Sequence, residues 1–146
     1  MDIRHILNNC ILCPRKCGVD RTSGHTGACH MTDTVRVSRA ALHMWEEPCI
    51  SGENGSGAVF FSGCALGCCF CQNKAISGGE SGKDISISRL CNIFFELQDK
   101  GANNINLVTP GQWRPWIIAA LDIARAEGLR LPIVCNTGGY ETVESV

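Results

Sequence analysis

Ala58-Val59-Phe60-Phe61-Ser62-Gly63-Cys64-Ala65-Leu66-Gly67-Cys68-Cys69-Phe70-Cys71 is the stretch on which the reading of this chain turns. Ala58 to Phe61 is a short, continuous apolar run, the pattern of a strand buried on both faces. It ends at Ser62-Gly63 and gives way at once to a C-x3-C-x2-C loop followed by Gln72-Asn73. Downstream, Ile87, Leu90, Phe94 and Leu97 recur at i, i+3, i+7 and i+10, one face of a helix. Ser86 or Ser88 can cap its start, and Gly101 sits where a helix end needs positive φ. Ile105-Asn106-Leu107-Val108 reads as a second strand, closed by Thr109-Pro110. A second helix starts near Pro115, presents Trp116, Ala120, Leu121 and Ala124 inward, and ends at Gly128. Leu131 to Cys135 is a third strand running into Asn136-Thr137-Gly138-Gly139. Strands joined by helical crossovers must be parallel, so the predicted class is α/β. Parallel β/α units carry their sites at the C-terminal ends of the strands. Here those ends are Ser62 to Cys71, Thr109-Pro110 and Asn136-Thr137, expected on one rim.

Upstream the character of the chain changes. Residues 10 to 33 are rich in Cys, Gly, Thr and Arg without a sustained period and read as loop. Val35 and Val37 alternate within Thr34 to Leu42, which reads as a strand. Gly52 to Gly57 is the flexible turn at which a boundary is expected, giving a Cys-rich extension over 1–55 and a β/α unit over 56–146. Eleven cysteines in 146 residues are the compositional outlier. Four of them (Cys10, Cys13, Cys17 and Cys29) fall in the first thirty residues, and four more (Cys64, Cys68, Cys69 and Cys71) within eight residues. Disulfide frameworks spread their cysteines to close loops; metal sites cluster them. A net charge of −1 offers no basic field for nucleic acid. No apolar run reaches membrane-spanning length, because Asp122 and Arg125 interrupt the segment from Ile117 to Ala126. Met1-Asp2-Ile3-Arg4-His5 lacks the regions of a signal peptide, so a cytoplasmic location is expected.

Three thiolates from one loop, Cys64, Cys68 and Cys71, can hold three corners of a [4Fe-4S] cubane and leave one iron without a protein ligand. An open iron can chelate the amino and carboxylate groups of S-adenosyl-L-methionine, whose sulfonium then accepts an electron. A full set of cysteines would saturate the cluster and leave simple electron transfer. The alternative is zinc held by three cysteines and a distant Cys or His, although C-x3-C is unusual among the C-x2-C knuckles of structural zinc sites. Cys69, beside Cys68, is expected to point away and pack as a small apolar group.

The loop, with Phe70 just before its last cysteine, resembles the radical S-adenosylmethionine superfamily. Several segments resemble, more narrowly, the group related to pyruvate formate-lyase activating enzymes: Leu12-Cys13-Pro14-Arg15-Lys16-Cys17-Gly18-Val19-Asp20-Arg21, Trp45 to Gly52, Gly63 to Asn73, Asn106 to Pro110, and Asn136-Thr137-Gly138-Gly139-Tyr140-Glu141. The resemblance implies a partial (β/α) barrel, here truncated after the third parallel strand, with the Cys-rich N-terminal extension. It places the backbone around Phe70 against the adenine and lets Gln72 and Asn73 lead out of the cluster loop. Thr109 ends the second strand where relatives often carry Gly-Gly-Glu for the methionyl amine; this chain departs there. Gly78-Gly79-Glu80 reads instead as a turn with an exposed Glu. Asn136 and Thr137 are candidates for ribose or carboxylate contacts, or simply cap a following helix. The family implies a glycyl radical enzyme or other substrate protein as partner, and an electron donor such as flavodoxin or ferredoxin. Its members are about twice as long, so an incomplete chain with poor activity of its own is expected.

Cys10-x2-Cys13-x3-Cys17-x11-Cys29 supplies four ligands, enough to close a second site, and zinc and a second iron–sulfur cluster both fit. Arg15, Lys16 and Arg21 can offset the charge of a tetrathiolate, and His25 and His30 are substitute ligands or surface residues. Cys49, Cys91 and Cys135 are expected in the core, with Trp45, Trp113 and Trp116 as packing groups. Two competing functions stand beside a glycyl radical activase: a radical enzyme acting on a small molecule, and a non-catalytic iron–sulfur or zinc module.

Overall fold

A five-stranded sheet organises the computed structural model, which describes residues 3–145. Met1 and Asp2, which open the N-terminal segment read above, and Val146 lie outside the described residues. A short helix α1 (Ile3–Leu7) precedes a long loop that ends in β1 (Arg36–His43). There follow α2 (Pro48–Ser51), β2 (Ser56–Phe61), α3 (Lys74–Ser77), β3 (Lys83–Asp84), α4 (Ile87–Asp99), β4 (Ile105–Val108), α5 (Arg114–Ala126) and β5 (Ile133–Asn136). The strand order is β3-β1-β2-β4-β5.

β2, β4 and β5 pair in parallel, Val59 opposite Leu107 and Leu107 opposite Cys135. The local chemistry of α4 explains its bounds. Ser86 Oγ accepts the Arg89 N–H at 3.1 Å, and Gly101 takes φ 79° just past the last turn. Helices α4 and α5 pack on each other and on the sheet face that carries Val59, Phe61, Ile105 and Leu107, with Leu90, Phe94, Trp113 and Ala120 fully buried between. Burying large apolar side chains contributes about 1.5–3 kcal/mol each, so this layer holds the unit together.

The partial barrel is not formed; the sheet is open and mixed. Extending a barrel on the β2 side requires that edge of β2 to receive a parallel strand. It is occupied instead by β1, antiparallel, with Ala40 opposite Val59 and His43 opposite Ser56. β3 then adds antiparallel to β1. The 44–55 connection turns back along the same edge, which antiparallel pairing permits without a helical crossover. It is anchored where it turns: Asn104 Nδ2 donates to Ile50 O at 2.7 Å, and Asn106 Nδ2 donates to Glu46 Oε1 at 3.3 Å. The 55/56 division therefore falls between two neighbouring strands of one sheet. Among the described residues no helix is long and apolar enough to cross a membrane.

Candidate metal centre

The end of β2 is fixed on several sides before the cysteine loop begins. Ser62 N donates to Arg36 O at 2.9 Å, and Ser62 Oγ donates to Ser81 O at 2.6 Å. Trp113 Nε1 donates to Ser62 O at 2.9 Å. The buried Gln112 amide lies within hydrogen-bond reach of Ser62 O (3.2 Å), Gly63 O (2.8 Å) and Thr109 O (3.0 Å), tying the end of β2 to the end of β4. Gly63 has φ 82°, and a Cβ there would meet Met31 Cγ at 2.3 Å and Cys29 O at 2.6 Å. Only glycine fits this position, because the N-terminal loop presses directly on the base of the cysteine loop.

Beyond Gly63 the loop opens to solvent. Cys64, Cys68 and Cys71 are half-buried, and Cys71 N donates to Cys68 O at 3.2 Å in a turn. Among the described residues no three His, Cys, Asp or Glu side chains stand close enough to hold a metal ion, so Cys64, Cys68 and Cys71 are not gathered into a ligand set. The donor chemistry does suit an iron–sulfur group, since the soft thiols of Cys64, Cys68 and Cys71 share one accessible loop whose own sequence contains no carboxylate or imidazole. Phe70 is 86% exposed, and Gln72 and Asn73 are exposed. The Asn73 carbonyl starts α3, accepting from Ile76 N at 3.0 Å and Ser77 N at 2.9 Å.

The rim expected from the strand ends is present. Thr109, with φ 57°, donates its N–H to Asn136 O at 2.9 Å. Asn136 and Thr137 are exposed; Thr137 Oγ1 donates to Glu141 Oε1 at 2.7 Å and accepts from Gly139 N at 3.2 Å. Thr137 thus closes a turn. A narrow cleft of about 20 Å³ is lined by Cys13, Cys64, Leu66, Thr109, Tyr140 and Glu141, so a cysteine of each group faces the same space.

The N-terminal cysteines converge around two turns. Cys10 N donates to Val19 O and Gly18 N to Cys10 O, each at 3.0 Å, pairing the arms of a turn that passes through Lys16 at φ 42°. Cys10 and Cys29 are buried, Cys13 is half-buried and Cys17 exposed. The sulfurs of Cys17 and Cys29 each lie 3.5 Å from where a Cβ on Gly27 would sit. Burial pushes the Cys13 thiol up despite the Arg15 N–H, and the charges of Cys10 and Cys17 add to the rise. Burial also raises Cys29, against the pull of Arg21, with Cys10 and Cys13 adding to it. Burial opposes ionisation of Cys17, but the N–H groups of Ala28, Val19 and Cys17 itself, with Arg21, outweigh it and hold this thiol below its ordinary range.

Four expectations change at this point. Cys49 and Cys135 are exposed rather than in the core, whereas Cys91 is buried. Cys69 is exposed and does not pack as an apolar group. Trp113 and Trp116 are buried packing groups, but Trp45 is 89% exposed. Gln112, which has a position in the site, carries no motif of its own; its only signal is proximity to the Thr109 segment.

No family model matches the chain, and no solved structure matches it. The chain is 29% identical over 150 residues to the uncharacterized protein MJ0674 of Methanocaldococcus jannaschii. That similarity covers 98% of this chain and 42% of the archaeal protein, so the chain spans less than half the length of that relative.

Proposed function

We propose that this chain is the cluster-bearing part of a radical S-adenosylmethionine enzyme, with Cys64, Cys68 and Cys71 as the ligands of a [4Fe-4S] cluster. The observation that carries the reading is the C-x3-C-x2-C loop fixed at the C-terminal end of a parallel strand, beside the ends of β4 and β5. When bound, such a cluster supplies the electron that cleaves S-adenosylmethionine to methionine and a 5′-deoxyadenosyl radical for hydrogen abstraction. The chain's residues do the holding. Gln112 and Trp113 fix the carbonyls at the loop base. Phe70 presents an exposed ring beside the last ligand. Thr109, Asn136 and Thr137 offer polar groups on the same rim for the methionyl and ribose ends. A protein glycine or a small molecule is the hydrogen donor, a flavodoxin or ferredoxin supplies the electron, and the setting is the cytoplasm.

Anaerobic reconstitution with iron and sulfide tests the ligand assignment. The wild-type chain should gain about four more irons than the Cys64/Cys68/Cys71→Ala variant. Under reductant and S-adenosylmethionine it should release 5′-deoxyadenosine that the variant does not. Equal iron in the two proteins refutes the assignment.

A further inference from the structure

Arg21 is fully buried, and among the described residues its guanidinium forms no ion pair. Nε donates to Thr32 O at 2.7 Å and Nη1 to Gln112 O at 3.1 Å, while Nη2 is buried without a partner. The guanidinium carbon lies 4.9 Å from the Trp113 ring centroid and 5.4 Å from that of Trp116. Carbonyls and ring faces offset part of the cost of burying this cation; an uncompensated buried charge remains strongly unfavourable. The ionisable group it touches is a thiol. Cys10 Sγ is 3.9 Å from Nη1, and the sulfurs of Cys17 and Cys29 both lie 3.5 Å from where a Cβ on Gly27 would sit. Neutral thiols cannot answer a guanidinium, but thiolates can. Clustered thiolates repel one another unless a cation stands between them.

We propose that Cys10, Cys13, Cys17 and Cys29 form a structural zinc site, with Arg21 as the buried counter-cation of the tetrathiolate. Four thiolates on one Zn2+ leave a net charge of about −2, of which Arg21 cancels one unit. Each thiol gives its proton to solvent as it ligates, and no oxidant or reductant is needed. A single ion fits better than an iron–sulfur cubane. Cys10 and Cys29 are already packed in the apolar core beside Leu12 and Met31, with Gly27 against the sulfurs of Cys17 and Cys29. No three of the thiols are within ligating reach in the chain as it stands. Binding therefore draws the exposed Lys16–Gly18 turn, which carries Cys17, inward. The consequence reaches the other cysteine loop: the segment that carries Cys29 and Met31 abuts Gly63, so zinc would stiffen the base of residues 64–71. This inference does not rest on the reading of that loop.

The Cys64/Cys68/Cys71→Ala variant of the full 146-residue chain separates the two sites. Expressed with zinc and purified anaerobically, it should carry about one zinc per chain, and cobalt exchanged for zinc should show intense thiolate-to-cobalt absorption. Arg21→Met should weaken zinc binding by about 10–100-fold in chelator competition, as loss of an outer-shell partner does, and Arg21→Lys by less. A folded variant with substoichiometric zinc, or with cobalt but no thiolate band, overturns the proposal. So does iron–sulfur absorption that persists in this variant. Should the variant fail to fold, cobalt titration of Cys29→Ser against the wild-type chain decides, since an unchanged band refutes the site and a lost band supports it.

Discussion

The Arg15 guanidinium holds the Ala65 carbonyl across fifty residues of sequence, with Nε donating at 2.9 Å. Nη2 donates to Leu66 O at 3.3 Å, and the guanidinium carbon lies 5.8 Å from the centroid of the Tyr140 ring. One side chain thereby joins the N-terminal cysteine turn, the 64–71 loop and the segment after β5. These contacts sit at the surface, so they order the loop more than they stabilise the fold.

Arg15→Met keeps the aliphatic stem and removes both hydrogen bonds. We expect a fall in stability of about 1 kcal/mol or less, because the guanidinium is solvent-exposed. Iron retained at the 64–71 loop after reconstitution should drop further than that loss implies. Paired urea titrations and iron assays check this, and iron retention equal to wild type contradicts it.

Gly63→Ala drives a Cβ into Met31 and the Cys29 carbonyl at a left-handed φ. Overpacking and backbone strain together should cost about 2–4 kcal/mol. Chemical denaturation of the apo chain measures it; a loss below about 1 kcal/mol means the N-terminal loop does not press on this position.

Gln112→Leu preserves bulk but strips the Gly63 and Thr109 carbonyls of their amide partner, while Ser62 O keeps Trp113. Leaving such acceptors unpaired should cost about 2–4 kcal/mol. Gln112→Glu, which keeps the shape but also loses the donor, should be no milder. A near-neutral Gln112→Leu would show that the amide does not tie the two strand ends.

Burial pushes the Cys91 thiol up, and the charge of Glu127 adds to the effect. The folded state therefore holds this proton more tightly than the unfolded chain, whose thiols ionise near pH 8.5, about the ordinary value. The stability it contributes is fully present below that pH and is lost as pH rises through the folded value. Stability of the apo chain should fall above about pH 8.5, and Cys91→Ala should flatten part of that fall. An identical pH profile for the two proteins contradicts this.

Much of the layer that carries the rim was readable from periodicity. The apolar run before Ser62, the helix of Leu90 and Phe94 with its Ser86 cap, and the Pro115 and Gly128 signals are local, and local physics sets them. The edge partner of β2 was not readable. Val35 and Val37 announce a strand but say nothing of its partner, and its antiparallel docking is decided by burial that only the assembled sheet provides. For the same reason an N-terminal appendage was expected where the structure has two neighbouring strands. In the candidate site the cysteine spacing was plain. The groups that hold the loop, Gln112 above all, were not, because an isolated polar residue at the start of a helix carries no pattern until its three carbonyl partners are in place. Arg21 stood out only as a charge near cysteines; its complete burial against two tryptophans is a tertiary fact.

The proposed function requires that a cluster on Cys64, Cys68 and Cys71 keep one iron open to S-adenosylmethionine. EPR of the reduced, reconstituted 146-residue chain, recorded with and without S-adenosylmethionine, tests it most directly. A [4Fe-4S]+ signal is expected that changes shape on addition and disappears in Cys68→Ala. A signal indifferent to S-adenosylmethionine, or one that survives Cys68→Ala unchanged, would contradict it.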